Sequence, residues 1–167
     1  MVFKINDVII HGTEGICKII GIEEQVINGI CIQCFVLKPE DGRNLTIYIP
    51  TKNQKLLAKM RKISSKKEVD SLIDSLSDST TDWIEDVNER KLVYSKILSD
   101  RSPAALVAMI KALHFQEENQ AFKGKQLRMS DKRFLKDAEQ LLYNEWQYVL
   151  KMDRAELTTY ISTRMKK

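Results

Sequence analysis

The chain has 167 residues, of which 43% are hydrophobic and 30% charged, and it carries a net charge of +4. This composition predicts an ordinary folded, soluble protein of one medium or two small domains. No apolar run approaches the ~20 residues that a membrane span needs and no signal peptide precedes the fold, so we expect a cytoplasmic protein with no membrane partner.

The first 50 residues predict a series of short strands. The segments with strand composition are Val2–Ile5, Val8–Ile10, Ile16–Ile22, residues 25–27, Ile30–Leu37 and Asn44–Pro50. Asn28-Gly29 is the strongest hairpin signal, since both residues accept the positive φ of a type I′ turn. So many strands in so short a stretch favour closure into a small Tudor/SH3-like β-barrel.

After residue 52 the hydrophobic spacing becomes helical, beginning with a short helical or irregular piece, Lys52–Met60, that could cover the barrel. Ser65 and Glu68 predict a capping box at the start of the first long helix. The N-caps predicted for the first, third, fourth and fifth helices are Ser65, Ser102, Ser130 and Asp153. The sequence therefore predicts an α+β chain, with a β domain over residues 1–61 and a bundle of about five helices over residues 62–167.

A tryptophan follows a polar stretch at the start of the second helical pattern, which runs from about Trp83 to Leu98. Asp82, with Glu85 three residues on, fits a variant of the capping box and places Trp83 in the first helical turn. Because a first-turn side chain is poorly shielded, Trp83 is either a core residue tucked under the helix or an exposed wedge or interface anchor. The buried face of this helix is expected to contain Ile84, Val87, Lys91 through its stem, Tyr94 and Leu98.

Positive charge is concentrated in one segment, where Asp131 is the single acid. The basic residues are Lys123, Lys125, Arg128, Lys132, Arg133 and Lys136. The segment spans a loop and the start of the fourth helix, where backbone N–H groups and basic side chains can clamp a phosphate. From charge alone, a solvated surface is the favoured interpretation. Together with an exposed Trp83, the segment fits phosphate contacts beside a minor-groove wedge.

Neither the cysteines nor the histidines predict a reactive centre. Cys31 and Cys34 form a C-x-x-C on a predicted strand, where residues three apart point to opposite faces, and Cys17 stands alone. We expect all three to be reduced and structural. His11 and His114 lie in no catalytic motif and no glycine loop matches a phosphate cradle, so we expect no enzyme activity, no metal and no other cofactor.

Six segments, in order over residues 1 to about 150, resemble the CarD/CdnL family of bacterial transcription regulators. They are Met1–Ile10, the turn Gly12–Gly15, Leu45–Pro50, Thr81–Trp83, Leu127–Leu135 and Ala138–Leu142. The resemblance implies a Tudor-like domain, similar to that of transcription-repair coupling factors, which binds the lobe of the RNA polymerase β subunit partly through a strand edge. It also implies a helical domain that contacts promoter DNA at the upstream edge of the bubble.

Carried over by position, the resemblance makes Trp83 a minor-groove wedge and Lys132 with Arg133 phosphate contacts. The full set of expected DNA contacts is Trp83, Lys123, Lys125, Arg128, Lys132, Arg133 and Lys136. The expected polymerase contacts are Gln25, Thr46, Ile47, Tyr48, Ile49 and Pro50.

Two pairs of positions depart from the family pattern. Members often carry a basic pair where this chain has Glu85 and Asp86, so we expect weaker DNA binding at the same site. Gln25 and Tyr48 stand where well-studied members place arginines that meet the polymerase.

The sequence thus predicts a non-enzymatic transcription regulator that binds the polymerase β subunit and stabilises the promoter open complex. The alternative is a protein-interaction module that docks a partner on polymerase without contacting DNA. A monomer is expected, with a swapped dimer through an unpaired barrel edge as the other possibility.

Overall fold

The computed structural model describes residues 2–78 and 82–166. The chain divides into two compact units, one within residues 1–63 and one within residues 64–167. Residues 79–81, which belong to the polar stretch before Trp83, lie outside the described residues.

The N-terminal unit is an antiparallel sheet with the strand order β4-β3-β2-β1-β5. Its elements are β1 (Val8–His11), β2 (Gly15–Ile27), β3 (Ile30–Pro39), β4 (Ile47–Pro50), the one-turn helix α1 (Gln54–Leu57) and β5 (Met60–Lys62). Residues 16–22 and 25–27, predicted as separate strands, are parts of the single strand β2. The predicted strand Val2–Ile5 is not a strand, although Phe3 is buried in the core.

The predicted Tudor/SH3-like barrel is not confirmed, because the sheet is open. Among residues 2–78 no ladder joins β4 to β5, so each remains an edge strand. These edge strands have only 4 and 3 residues, which leaves few backbone groups to pair with each other. Phe3 and, from α1, Leu56 and Leu57 pack against the core instead, so the apolar face is covered without closure.

The hairpin between β2 and β3 forms as the sequence predicts. Asn28 has φ of 53° and Gly29 has φ of 78°, the two positive values that a type I′ turn requires. The register shifts between Ile19 and Gly21, a bulge that bends the strand. Beyond Glu23 and Cys34, where the pairing of β3 with β4 ends, β2 and β3 continue as a two-stranded ribbon to the turn, paired as far as Ile27 and Ile30.

The second unit is helical over its described residues. Its helices are α2 (Lys66–Ser75), α3 (Val87–Asp100), α4 (Pro103–Phe122), α5 (Met129–Leu150) and α6 (Arg154–Met165). The predicted count of about five helices is confirmed. Their apolar faces enclose one core, whose fully buried members include Val69, Ile73, Leu113, Leu142, Trp146 and Leu157.

Most of the predicted helix starts are confirmed by the geometry of the caps. Ser65 and Asp153 each take part in a complete capping box, and Ser102 stands at an N-cap with proline at the next position, although its side chain makes no cap hydrogen bond. The expectation for Ser130 is wrong, because α5 begins at Met129 and Arg128 occupies the N-cap position.

A buried polar contact fixes the start of the helical unit. The backbone N–H and the hydroxyl of Ser64 both donate to Glu145 Oε1 on α5, at 2.9 and 2.8 Å. Glu145 is 2% exposed, so its carboxylate depends on donors of this kind to replace water. The residue before the capping box is thereby attached to the longest helix of the unit.

Candidate nucleic-acid and polymerase interfaces

Trp83 precedes α3 instead of opening it. Residues 82–86 have no regular secondary structure, and α3 begins at Val87. The predicted start at Trp83 is therefore wrong, and so is Asp82 as its cap. Asp86 is the N-cap, and its carboxylate accepts from the backbone N–H of Glu89 at 2.7 Å. This cap satisfies an N–H group at the helix start, where a negative charge is also favoured by the helix dipole.

The Trp83 indole is half-buried and packs against the helical core. The guanidinium of Arg90 lies over its ring, 4.3 Å from the centroid. At this distance a cation–π contact contributes about 0.5–2 kcal/mol, with the larger values in sites shielded from water. The indole is thus held between the core and a cation, in one orientation.

Arg90 fixes more than the indole. Its Nη1 donates to the carbonyl oxygens of Ile84 at 2.7 Å and Glu85 at 3.2 Å, which fastens the backbone directly after Trp83. Its Nε and Nη2 donate to the two carboxylate oxygens of Asp131 at 3.1 and 2.9 Å. Arg90 is only 3% exposed, so the whole guanidinium is removed from water and pairs with protein groups.

Asp131 has a different role from the one that its position in the basic segment indicates. It is 2% exposed and lies in the first turn of α5, where a carboxylate interacts well with the helix dipole. Because its charge is neutralised by Arg90, Asp131 subtracts little from the field of the neighbouring cations. The pair also ties the start of α5 to α3.

The predicted basic residues lie at the turn between α4 and α5 and on the first turns of α5. Lys123 is the C-cap of α4, Gly124 takes a φ of 68° in the turn, and Arg128 is the N-cap residue of α5. Five of the six side chains are exposed. They are Lys123, Lys125, Arg128, Arg133 and Lys136.

Lys132 is the half-buried member of the basic segment. Its Nζ donates to Gln126 Oε1 at 2.7 Å, an interaction within the turn. Arg133 lies 3.9 Å from Asp137 one helical turn later, and its side chain is 86% exposed. The Arg133–Asp137 contact is an exposed ion pair of the kind that contributes little to stability.

One groove brings the tryptophan together with part of the basic segment. It has a volume of about 300 Å³ and is lined by Trp83, Arg90, Gln116, Gln120, Lys125, Gln126, Leu127, Arg128 and Asp131. Lys125 and Arg128 are therefore the predicted DNA contacts that share a surface with Trp83. The other four predicted cations do not line this groove.

The role of Arg90 was not predicted from the sequence, although the helical spacing of the residues around it places it on the buried face of α3. Val87, Arg90, Tyr94 and Ile97 recur at helical spacing, and Arg90 falls on the buried face of α3. Lys91, which was expected on that face through its stem, is exposed. A charged residue on an apolar stripe indicates a buried partner, but the partner lies 41 residues later in the chain.

The predicted polymerase contacts lie mainly on the edge strand β4. Ile47, Tyr48, Ile49 and Pro50 pair with Leu37, Val36, Phe35 and Cys34 of β3. Ile49 is buried and Ile47 packs against the core, whereas Tyr48 is 42% exposed. Thr46 is exposed just before the strand, and Gln25 is half-buried on β2.

The loop before β4 is anchored by one arginine. Arg43 donates to Asp41 Oδ2 at 2.6 Å, to Glu14 Oε2 at 3.0 Å and to the Glu14 carbonyl at 3.1 Å. The backbone N–H of Arg43, and then its guanidinium, lower the pKa of the Asp41 carboxyl. These contacts attach the turn between β1 and β2 to the loop that precedes the edge strand β4.

Two of the three cysteines are buried, as expected for structural residues, and the third is exposed. Cys17 and Cys34 are buried, and burial raises the pKa of the Cys17 thiol to about 11. Cys31 is exposed and donates to Glu24 Oε2 at 3.4 Å, and this hydrogen bond raises the pKa of the Cys31 thiol.

Within residues 2–78 and 82–166, no three His, Cys, Asp or Glu side chains are grouped as metal ligands, and no helix is long and apolar enough to cross a bilayer.

A small antiparallel sheet with an unpaired edge strand has backbone groups to which a strand of another protein can add. Residues 3–64 match the family model of the CarD-like/TRCF RID domain. The match confirms the resemblance over residues 3–64 and is consistent there with the CarD-like, RNA polymerase-interacting family. It indicates an RNA polymerase β-interacting module, which is a protein-interaction domain and not a known enzyme family. No curated protein matches the chain.

Proposed function

We propose that this protein is a transcription regulator that docks on the RNA polymerase β subunit and stabilises the promoter open complex. The N-terminal unit, which carries the RID match, supplies the docking, and the helical unit contacts DNA. Such a factor works in the cytoplasm at the nucleoid, and we propose that one copy of the chain acts on each polymerase.

The edge strand β4 supports the docking half of the proposal. No strand within residues 2–78 pairs with its outer side, so its outward N–H and C=O groups are available to a strand of the partner. Tyr48, 42% exposed, adds a side-chain contact of the amphipathic kind that is enriched at interfaces.

The groove beside Trp83 is the observation that carries the DNA half. A large apolar ring lies at its wall, and the exposed cations Lys125 and Arg128 lie at the same groove. Minor-groove proteins combine these parts: an apolar wedge unstacks a base step while basic groups bind the adjacent phosphates. Arg90 holds the ring in place beforehand, so little side-chain entropy is lost when the ring contacts DNA.

Stabilisation of an open complex requires only that the factor bind the melted promoter better than the closed one. The upstream edge of the bubble offers a distorted base step, where insertion of a ring costs less than in an intact duplex. A differential affinity of about 1.4 kcal/mol lengthens the open-complex lifetime about tenfold if the rate of opening is unchanged.

The test measures open-complex lifetime with the polymerase of the source organism, comparing the wild type with Trp83→Ala. Leu92→Ala is the matched control, because Leu92 is 75% exposed on α3 and does not line the groove. We expect the wild type and Leu92→Ala to lengthen the lifetime about tenfold and Trp83→Ala to have little effect. Equal lifetimes with Trp83→Ala and the wild type would reject Trp83 as the wedge.

The alternative is a docking module that never contacts DNA, and one observation favours it. Glu85 is exposed two residues after Trp83, and a carboxylate there repels a phosphate backbone. The docking module predicts that replacing Lys125 and Arg128 by alanine leaves both the polymerase affinity and the DNA footprint unchanged. The proposed function predicts an unchanged affinity for polymerase but a shorter footprint, with the salt slope of promoter binding reduced by about one for each lost contact.

A further inference from the structure

The groove beside Trp83 is lined by three glutamines to which phosphate binding gives no role. They are Gln116 and Gln120 on α4 and Gln126 in the turn before α5. Gln116 and Gln120 are four residues apart on the helix and half-buried, so their side chains lie next to each other on one face. An amide group has two donor hydrogens and an acceptor oxygen. The groove therefore offers hydrogen bonds to a neutral ligand in addition to positive charge.

The hydrogen-bonding capacity of these amides is largely unused within the protein. Over residues 2–78 and 82–166, the amide groups of Gln116 and Gln120 have no hydrogen-bond partner. The Oε1 atom of Gln126 accepts from Lys132 Nζ at 2.7 Å, which leaves the amide nitrogen of Gln126 as a donor. Three amides that line one groove and keep free donors are suited to a ligand with several polar atoms on one edge.

The turn after α4 places a cation next to the glutamines. The carbonyl oxygen of Gln120 accepts from the backbone N–H groups of Lys123 and Lys125, at 3.1 and 2.8 Å. Gly124 takes the positive φ of 68° that brings the chain back over the end of the helix in this way. Lys125 thereby lines the same groove as Gln120, although the chain has already left the helix.

The shape and charge of the groove favour a single base over an intact duplex. Its volume of about 300 Å³ lies at the lower end of the range for small-molecule sites, and one base is smaller than a drug-sized ligand. The minor groove of a duplex is itself concave, whereas a base displaced from the stack can enter a pocket. Asp131 is the single acid among the lining residues and is paired with Arg90, so no free carboxylate in the lining competes for the amides.

We propose that this groove binds one unpaired base of the melted promoter, with Trp83 against the base and the amides of Gln116 and Gln120 at its polar edge. This inference rests on the proposed function and specifies its ligand. Proteins that bind unpaired bases combine the same parts, an aromatic ring for stacking and polar side chains for the base edge. Lys125 and Arg128 then bind the phosphates beside that base.

Base binding supplies the preference for the melted state that the proposed function requires. A base that is stacked and paired in a duplex cannot enter the groove, so the contact forms only after melting. A ligand site that exists for one state and not for the other shifts the equilibrium toward the first. Phosphate contacts alone are made by closed and open DNA alike.

The amides also predict which base is preferred. A glutamine amide forms two hydrogen bonds with adenine, its oxygen accepting from N6 and its nitrogen donating to N7. Thymine has no exocyclic amino group and cannot donate in this way. We therefore expect adenine to be preferred over thymine by about tenfold at one unpaired position.

The first experiment measures open-complex lifetime on promoters that each lack one base near the upstream edge of the bubble. The effect of the wild-type chain is the ratio of the lifetimes with and without it, which corrects for changes in the polymerase itself. We expect one position at which the missing base abolishes the roughly tenfold lengthening, and at which thymine in place of adenine removes most of it. Missing bases at the other positions should leave the ratio within about twofold.

The second experiment changes the protein. We expect the double variant Gln116→Ala/Gln120→Ala to lengthen the lifetime less than about threefold and to respond equally to adenine and thymine. Asn119→Ala is the matched control, because Asn119 is an exposed amide on the same helix that does not line the groove. This control should keep both the tenfold lengthening and the preference for adenine. Alanine is the best helix former, so all three replacements are compatible with α4.

The outcomes separate the inference from the proposed function. If Trp83→Ala removes the lengthening while the missing bases and the glutamine variant have no effect, base binding is overturned and the wedge remains. An equal loss in Asn119→Ala and the glutamine variant would also overturn it. A wild type that does not lengthen the lifetime on any promoter would overturn the proposed function, and the inference with it.

Discussion

Breaking the Arg90–Asp131 pair tests whether a buried ionic contact holds the Trp83 indole in place. The guanidinium and the carboxylate are each 3% exposed and share two hydrogen bonds. Replacing one partner leaves the other charge buried without its counter-ion, which costs about 3–5 kcal/mol. For a unit of about this size that corresponds to a melting temperature lower by roughly 12 °C or more.

The two single variants are expected to differ. Asp131→Leu removes only the pair, whereas Arg90→Met also removes two hydrogen bonds to backbone carbonyls, at about 0.5–1.5 kcal/mol each, and the ring contact with Trp83. The double variant Arg90→Met/Asp131→Leu is expected to be no less stable than Arg90→Met, because it does not leave the Asp131 carboxylate buried without its counter-ion. This non-additivity is the signature of direct coupling.

Urea unfolding followed by helical circular dichroism measures these costs in the full chain. Trp146 is fully buried and keeps a constant environment in the native state, so changes in native fluorescence report Trp83. Single variants that each cost less than about 1 kcal/mol, with additive effects in the double variant, would refute a coupled buried pair. The double variant, if folded, should also lose part of the effect on open-complex lifetime, because the backbone after Trp83 has lost its donor.

Three further perturbations test other parts of the molecule. Ser64→Ala removes the hydroxyl donor to the buried Glu145 carboxylate and should destabilise the helical unit by about 1–3 kcal/mol, measured by urea unfolding. Gly29→Ala places a Cβ at a φ of 78° and should cost about 1–2 kcal/mol, measured as the loss of thermal stability of the β unit. The hydrogen bond to Glu139 raises the pKa of His114 above its ordinary 6.5, so His114 stabilises the fold fully below pH 6.5 and this contribution is lost as pH rises through the folded pKa. His114→Gln should remove that dependence from the urea midpoint between about pH 6 and 9.

Each of these three has an internal comparison. Ser65→Ala removes an N-cap hydrogen bond one residue after Ser64 and should cost about 1 kcal/mol, so a larger loss for Ser64 reports its buried partner. Gly12→Ala meets only ordinary contacts with Lys59 and should be tolerated, in contrast to Gly29→Ala. A pH dependence that is equal in His114→Gln and the wild type would assign the titration to other groups.

Local chemistry in the sequence predicted the parts of the fold that are set by neighbouring residues. The Asn28-Gly29 turn and the capping box at Ser65 involve at most three residues of separation, and both are present. The start of α3 was predicted wrongly because local sequence does not decide it. Asp82 and Asp86 are both good caps by composition, and the choice between them depends on Arg90 binding the carbonyls of Ile84 and Glu85. That contact requires the folded unit.

Sheet closure and the groove also depend on distant contacts. An open or closed sheet is decided by whether β4 and β5 pair, which their composition does not encode. The basic segment was found from the sequence because its charges are adjacent, but the subset that meets Trp83 was not. Only the packing of α3 against the α4–α5 turn places Lys125 and Arg128 at the groove.

The distribution of acids around Trp83 determines how strongly the proposed DNA site can attract phosphate. Asp131 is neutralised by Arg90, whereas Asp82, Glu85 and the N-cap residue Asp86 are exposed acids that oppose Lys125 and Arg128. Two cations against three exposed acids give little net attraction for phosphate, so we expect the proposed contact to bind free DNA weakly. Docking on polymerase changes this balance, because a tethered unit experiences an effective DNA concentration of the order of mM. Under the proposed function, we expect a preorganised ring with little net charge to act only where polymerase has already brought the promoter, and not to bind bulk DNA. The small field is therefore consistent with the proposed function, in which polymerase selects the site and Trp83 acts on the melted state.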